Sequence, residues 1–274
     1  MPLAMRQLFP LLLLIVAGCK QADNPVTTAS NKPLPDNVNW IDLSYTFDSS
    51  TLYWPNNTKP YVHSTDAAGV TAKGYYYSSY TLCTPEHGGT HLDAPVHFAE
   101  KHWSVDQIPL QSLTGHAIVV DISGYALPNH DYLLSIEDLK RWEQDNGRIA
   151  DSTIVLVRTG FGQFYPNRER YFGTAKTGAA ALTDLHFPGI DPLAAQWLVK
   201  ERKVKAVGLD TPSLDFGQSA DFKTHQVLMG ANVPGFENLA NLDKLPAAGA
   251  YIVALPMKIG GGSGGPLRII AAIP

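Results

Sequence analysis

The chain has 274 residues, with 21 Lys and Arg against 25 Asp and Glu and a formal net charge of −4. No basic patch stands out, which argues against nucleic acid as a partner. Cys19 and Cys83 are its two cysteines, so the fold must rest on a hydrophobic core rather than on a disulfide framework.

Residues 1–18 read as a signal peptide. Arg6 supplies a positive start, residues 8–16 form an apolar run interrupted by Pro10, and Val16-Ala17-Gly18 places small residues directly before Cys19. The run falls short of the roughly 20 residues a membrane-spanning helix needs. The cysteine after Ala-Gly resembles a bacterial lipobox, which implies Cys19 as the acylated residue. Lys20 rather than Asp follows it, which in a Gram-negative host implies an anchor in the cell envelope at the outer membrane, facing the periplasm. Residues 19–37 are polar and rich in Pro, Ser, Thr and Asn, the composition of a flexible tether. Residues 38–274 have a length that commonly forms one domain. With Cys19 lipidated, only Cys83 remains, and no intrachain disulfide can form.

The elements of that domain alternate in type and predict a mixed α/β fold. Residues 38–45 read as a first strand. Residues 74–83, with four tyrosines, read as another that runs into a His-rich segment. Residues 116–122 and 153–159 are short apolar runs of the buried-strand type. Between them Ser135-Ile136-Glu137-Asp138 opens a helix with a capping-box pattern that closes near Gly147. Asp191-Pro192 opens a second helix, with Asp as N-cap and Pro in the first turn, running to about Arg202. Residues 204–209 read as a strand and 221–229 as a short helix. Residues 251–256 and 267–273 read as closing strands.

The His-rich segment is His87-Gly88-Gly89-Thr90-His91-Leu92-Asp93-Ala94-Pro95-Val96-His97-Phe98. His87, His91, Asp93 and His97 all occupy odd positions, which share one face of an extended backbone. A straight strand would set the outer histidines roughly 33 Å apart, at about 3.3 Å per residue. Metal donors lie only about 2.0–2.2 Å from a zinc-like ion, so the chain must bend. Gly88 and Gly89 permit the bend, and Pro95 breaks the strand again before His97. Three imidazoles and a carboxylate in phase predict a metal site. A second cluster follows a strand end at Asp210-Thr211-Pro212-Ser213-Leu214-Asp215, with His225 and Glu237 beyond it. On spacing alone His225 reads equally as a helix-surface residue, and Glu237 as an acid in the first turn of a helix.

The string HGGTHLDAPVHF resembles the HxGTHxDxPxHF signature of the metal-dependent cyclase family, which includes bacterial kynurenine formamidases and isatin hydrolases. The later strings DTPSLDFG, FKTHQVLMGANVPGFENLANLDKLP and VALPMKIGGGSGGPLRIIA resemble that family's downstream blocks. The likeness covers roughly residues 38–274. It implies a swivelling β/β/α domain, a mixed sheet with flanking helices, that forms homodimers. It also implies a two-metal site, with His87, His91 and Asp93 on one ion, and Asp93, His97, His225 and Glu237 on the other. Imidazoles and carboxylates without thiolate fit Zn2+ or Mn2+, one or two ions per chain. The formamidases carry a further histidine four residues after the last motif histidine. Here that place holds Lys101, and His102 follows, so the acid–base role falls to His97 or His102.

These features predict a metal-dependent hydrolase of a C–N amide bond in a small aryl formamide or cyclic amide. Trp54, Tyr76, Tyr80 and Trp103 could wall a flat substrate, although Trp103 reads more readily as core and a tyrosine run as packing. A lipoprotein signal fits poorly with a cytoplasmic role in tryptophan breakdown. The alternative is a lipid-anchored metal or solute-binding protein without catalysis. Gly261-Gly262-Ser263-Gly264-Gly265 matches G-x-S-x-G, but a nucleophile elbow needs a helix and a histidine after the serine. A proline and a strand follow Ser263 instead. The loop is expected to pack closely or to offer backbone N–H groups to an oxyanion.

Overall fold

The computed structural model of the chain describes residues 38–273. The signal-peptide, Cys19 anchor and tether readings fall outside the described residues. The strands are β1 (Asn39–Asp42), β2 (Val62–Val70), β3 (Tyr76–Cys83), β4 (His91–Asp93), β5 (Thr114–Asp121), β6 (Leu133–Leu134), β7 (Ile154–Arg158), β8 (Gly189–Ile190), β9 (Ala206–Leu209), β10 (Gly235–Glu237), β11 (Ala248–Pro256) and β12 (Gly264–Ile273). The α-helices are α1 (Leu110–Leu113), α2 (Ser123–Ala126), α3 (Ile136–Asn146), α4 (Arg168–Phe172), α5 (Pro192–Glu201) and α6 (Lys223–Gly230).

Eight strands make one mixed sheet in the order β1-β12-β11-β5-β7-β9-β10-β4, and β4 returns to pair with β12. That last pairing closes the sheet into a barrel-like ring with flanking helices. Strands β5, β7, β9 and β10 run parallel to their neighbours in that series, whereas β4 is antiparallel to both β10 and β12. The three-residue metal motif strand is therefore the staple of the ring. Leu92 stands opposite Phe236 on one side and Gly265 on the other.

The uninterrupted apolar runs follow from burial on both faces of the sheet. In β7, Ile154 and Leu156 join the cluster that includes Leu92, Phe236, Ile252 and Ile269. Val155 and Val157 join the cluster formed with Leu139 of α3, Leu198 of α5 and Leu228 of α6. Strand β5 divides the same way, with Val119 on the first side and Val120 on the second. Each such side chain contributes about 1.5–3 kcal/mol by leaving water.

Both predicted helix starts are present. Ser135 caps α3, and Asp138 answers it in a capping box. Asp191 caps α5, accepting the N–H of Leu193 at 2.7 Å, with Pro192 in the first turn.

Residues 74–83 hold the expected strand, β3, but outside the main sheet. Strand β3 does not enter the main sheet but pairs with β2 in a two-stranded hairpin. Tyr76, Tyr77, Tyr80 and Leu82 are exposed there. Aromatic and β-branched content marks a strand but does not say which face is covered. Strand β2, Val-His-Ser-Thr-Asp-Ala-Ala-Gly-Val, carries that signal only weakly. Among the described residues, no helix is long and apolar enough to cross a membrane.

Candidate metal centre

The motif bends where glycine and proline allow it. Gly88 and Gly89 have φ of +150° and +54°, and a Cβ on Gly88 would lie 2.1 Å from the Tyr53 ring. Strand β4 then puts His91 and Asp93 on one face and Leu92 in the core. A 3₁₀ turn over Pro95–His97 brings the His97 ring back against His87, with centroids 4.0 Å apart. Glu237 is not in a helix turn; it is the last residue of β10, directly across from His91. His225 comes from the first turns of α6, whose N-terminus is held by Asp215.

The hydrogen bonds decide which nitrogen of each buried imidazole is free. His91 donates Nδ1–H to the Gly89 carbonyl at 2.9 Å. Its Nε2 then faces Asp93 Oδ1 at 3.2 Å and Glu237 Oε2 at 3.4 Å. His225 donates Nδ1–H to Asp215 Oδ2 at 2.6 Å. Its Nε2 faces Asp93 Oδ2 at 3.1 Å and Glu237 Oε1 at 3.2 Å. Two imidazole nitrogens and two carboxylates thus converge in a buried space, and Asp93 is 1% exposed. Buried acceptors facing one another need a cation between them, either protons on the rings or a metal ion. A carboxylate behind a ligating histidine is the recurrent support of metal sites.

The charge balance agrees. Burial would raise Asp93, but His87, His225 and His91 hold it well below the ordinary carboxylate range. Burial and the charge of Asp93 push Glu237 up. Burial opposes a charged His91, yet its bonds and charge interactions with Asp93 and Glu237 raise it to about 9. His225 is likewise raised against its burial by Asp215, Asp93 and Glu237. Without a metal, these rings hold protons because the site is too negative to lose them.

A second group adjoins the first through Asp93. His87 Nδ1 lies 2.6 Å from Asp93 Oδ1, and one donor atom each from His87, Asp93 and His97 fall within 4.8 Å of one another. His91, Asp93 and Glu237 meet the same distance. His97 is exposed by surface area, but its packing against the neighbouring rings desolvates it and pushes it down to about 4, so its ring is neutral at pH 7. The grouping differs from that implied by the resemblance, which set His87 with His91 and His97 with Glu237. Asp93 is common to both arrangements.

The two groups form the floor of a cavity of about 270 Å³ walled by Tyr53, Trp54, Phe98, Phe172 and Phe222. Trp54 packs edge-on against Phe172 at 6.5 Å. Of the four aromatic residues considered for the wall, only Trp54 is there. Tyr76 and Tyr80 lie on the exposed hairpin, and Trp103 packs against the inner core. Phe98 closes the motif and could have been found there. Phe172 and Phe222 come from distant elements without any local signal. His102 is outside the cavity wall, with its ring nitrogens against the backbone carbonyls of Glu100 and Gly230 at 3.1 and 3.2 Å. Ser263 is outside the wall too and stands 2.9 Å from His87 Nε2. Its N–H and that of Gly264 do hold an anion, the Glu86 carboxylate of the same chain.

Comparison with known proteins bears on this arrangement. The family model described as "Cyclase: Putative cyclase" matches residues 41–216. The isatin hydrolase of Roseibium aggregatum is 32% identical over 209 residues, covering 73% of this chain and 77% of that protein. The kynurenine formamidase of Salinibacter ruber is 28% identical over 233 residues, covering 84% and 95%. The structure of isatin hydrolase A from Ralstonia solanacearum superimposes with a TM-score of 0.77 at 32% identity, over 86% of this chain and 92% of that one. On both the family match and these similarities, the chain belongs to the cyclase family.

Proposed function

We propose that this protein is a metal-dependent hydrolase of a C–N amide bond in a small aryl formamide or cyclic amide. One observation carries the reading: Nε2 of His91 and of His225 and the carboxylates of Asp93 and Glu237, all buried, converge on the floor of an aromatic-walled cavity. Relatives that share the fold and bear the names isatin hydrolase and kynurenine formamidase support it. The donor set of imidazoles and carboxylates suits Zn2+ or Mn2+. His91, Asp93, His225 and Glu237 would hold one ion, and His87, Asp93 and His97 form a place for a second. When bound, such an ion acidifies a water toward a pKa of about 7 and polarises an amide carbonyl.

The protein's own residues do the rest. Trp54, Phe98 and Phe222 hold a flat ring over the floor and exclude bulk water. Water's oxygen adds to the carbonyl carbon, the C–N bond breaks, and the nitrogen leaves with a proton. His97, neutral at pH 7 and facing the cavity, takes the proton from the attacking water and delivers it to the leaving nitrogen. His102 points elsewhere, so the role goes to His97. Asp215 holds His225 in the tautomer that leaves Nε2 free. The test is hydrolysis of a panel of aryl formamides and cyclic amides by chelator-stripped and metal-reloaded protein. A rate indifferent to metal would refute the reading.

The same reading takes the domain as a swivelling β/β/α unit that works as a homodimer, with the apolar residues of the β2–β3 hairpin as its support. It also takes the protein as lipid-anchored through Cys19 in the cell envelope, at the outer membrane facing the periplasm. The apolar run at residues 8–16 and the Ala17-Gly18-Cys19 string support this. A single acyl chain binds membranes only marginally, so multiple acylation is implied. Release of Cys19→Ser from membranes, and a dimer mass by light scattering, are the expected outcomes. A fully soluble wild-type protein, or a monomer, would contradict them.

A further inference from the structure

Ser263, His87 and Asp93 stand in a row that resembles a hydrolase triad. Ser263 Oγ is 2.9 Å from His87 Nε2, and His87 Nδ1 is 2.6 Å from Asp93 Oδ1. Proton counting gives the row a different meaning. The Glu86 carboxylate can only accept. Its Oε2 receives the N–H of Ser263 at 2.9 Å, the N–H of Gly264 at 3.3 Å and the Ser263 hydroxyl at 2.7 Å. A hydroxyl has one proton, and here it goes to Glu86. Toward His87, Oγ can then only accept, so Nε2 of that ring carries an N–H. That leaves Nδ1, 2.6 Å from Asp93 Oδ1, as the ring position a metal ion would take. His91 and His225 are held the opposite way, with Nδ1–H donated and Nε2 free.

We propose that Glu86 and Ser263 are a positioning pair that fixes His87 in the tautomer presenting Nδ1 to a metal ion beside Asp93. This rests on the metal reading above. Close packing supports the pair: a Cβ on Gly264 would lie 2.5 Å from His87 Cε1, so the loop can sit against the ring only with glycine there. Neither residue lines the cavity, so neither touches substrate. The serine serves the histidine rather than the reverse.

The pair makes a prediction that simple packing does not. Glu86→Ala frees the Ser263 proton to turn toward His87 Nε2. That moves the ring N–H to Nδ1 and closes the ligand position. Ser263→Ala only removes the acceptor and leaves both tautomers open. Glu86→Ala is therefore the more damaging single change. Outer-sphere partners of metal ligands are worth about 10–100-fold in affinity, so we expect roughly 100-fold weaker zinc binding for Glu86→Ala and roughly 10-fold for Ser263→Ala. The double variant recovers to the Ser263→Ala level, and Glu86→Gln, which keeps an acceptor oxygen, stays near wild type. Zinc titration against a competing chelator measures all four, with His87→Ala identifying the step to which His87 contributes. A double variant as weak as Glu86→Ala, or Glu86→Gln no better than Glu86→Ala, would overturn the pair. Where a variant fails to fold, 15N spectra of zinc-loaded wild-type protein labelled in histidine decide. His87 bound through Nδ1 with a proton on Nε2 is expected, and binding through Nε2 overturns the proposal. A wild-type protein that takes up no zinc at any step would overturn the metal reading itself, and this pair with it.

Discussion

Asp215→Asn separates a metal-site role from a helix-cap role. Asp215 Oδ1 accepts the Thr224 N–H at 3.0 Å, while Oδ2 accepts the His225 N–H at 3.1 Å and its Nδ1–H at 2.6 Å. An amide keeps one acceptor oxygen. If that oxygen serves Thr224, the new NH2 group faces His225 Nδ1. The ring then accepts there and carries its proton on Nε2, the atom that faces Asp93 and Glu237. If the oxygen serves His225, the NH2 group faces the Thr224 N–H, and the start of α6 loses a cap worth about 1 kcal/mol. Loss of the charged partner should weaken metal binding by about 10–100-fold, or about 1.4–2.7 kcal/mol. Stability without metal should fall by about 1 kcal/mol, a few degrees in Tm for a domain of this size. Chelator competition reads the first quantity, and melting in excess chelator reads the second. An unchanged metal affinity beside the same loss of Tm would refute the reasoning and leave Asp215 as a cap alone.

Asp93→Ala should remove most bound metal, because both donor groups contain Asp93; unchanged metal content by elemental analysis would rule out the site as drawn. His91, held at about 9 without metal, makes two pH predictions. Metal uptake at pH 7 should release protons, and affinity should climb as pH rises toward about 9, which calorimetry in buffers of differing ionisation enthalpy can show. The raised His91 pKa also stabilises the metal-free fold. That contribution is complete below the unfolded value of about 6.5 and is lost as pH rises through about 9, so a chelated protein whose Tm does not fall over this window would contradict it. Ser263→Ala should keep kcat within a few-fold of wild type at saturating metal, since the serine is no nucleophile; an inactive but fully metal-loaded variant would reinstate serine chemistry.

The motif was legible because its meaning is local. Odd spacing, two glycines and a proline placed His87, His91, Asp93 and His97 on one bent segment, and the segment bends at those residues. The caps at Ser135 and Asp191 were legible for the same reason. What was hidden is set by long-range register. That β4 closes the ring follows from Asp93 pairing with both Gly235 and Gly264, residues far downstream. The same pairing puts Glu237 opposite His91, where spacing alone had left it a plausible helix acid. Spacing alone left His225 as a helix-surface residue; only the family resemblance named it a ligand, and α6 brings it to Asp93. The exposed hairpin, the walls from Phe172 and Phe222, and the absence of His102 from the cavity all depend on packing between distant elements. The direction of one hydroxyl proton, from Ser263 to Glu86, is set by a contact between residues 177 positions apart.

The central claim is that a metal ion at Asp93 drives amide hydrolysis in the aromatic cavity. Single-turnover hydrolysis of an N-formyl arylamine by purified protein, stripped with chelator and then reloaded stepwise with Zn2+ or Mn2+, tests it most directly. The account predicts no measurable rate without metal, a rate that rises in proportion to bound ion, and a pH profile that climbs through about 7, the range of a metal-acidified water. Full activity in the stripped protein, or stoichiometric metal binding with no turnover of any aryl formamide or cyclic amide, would contradict it.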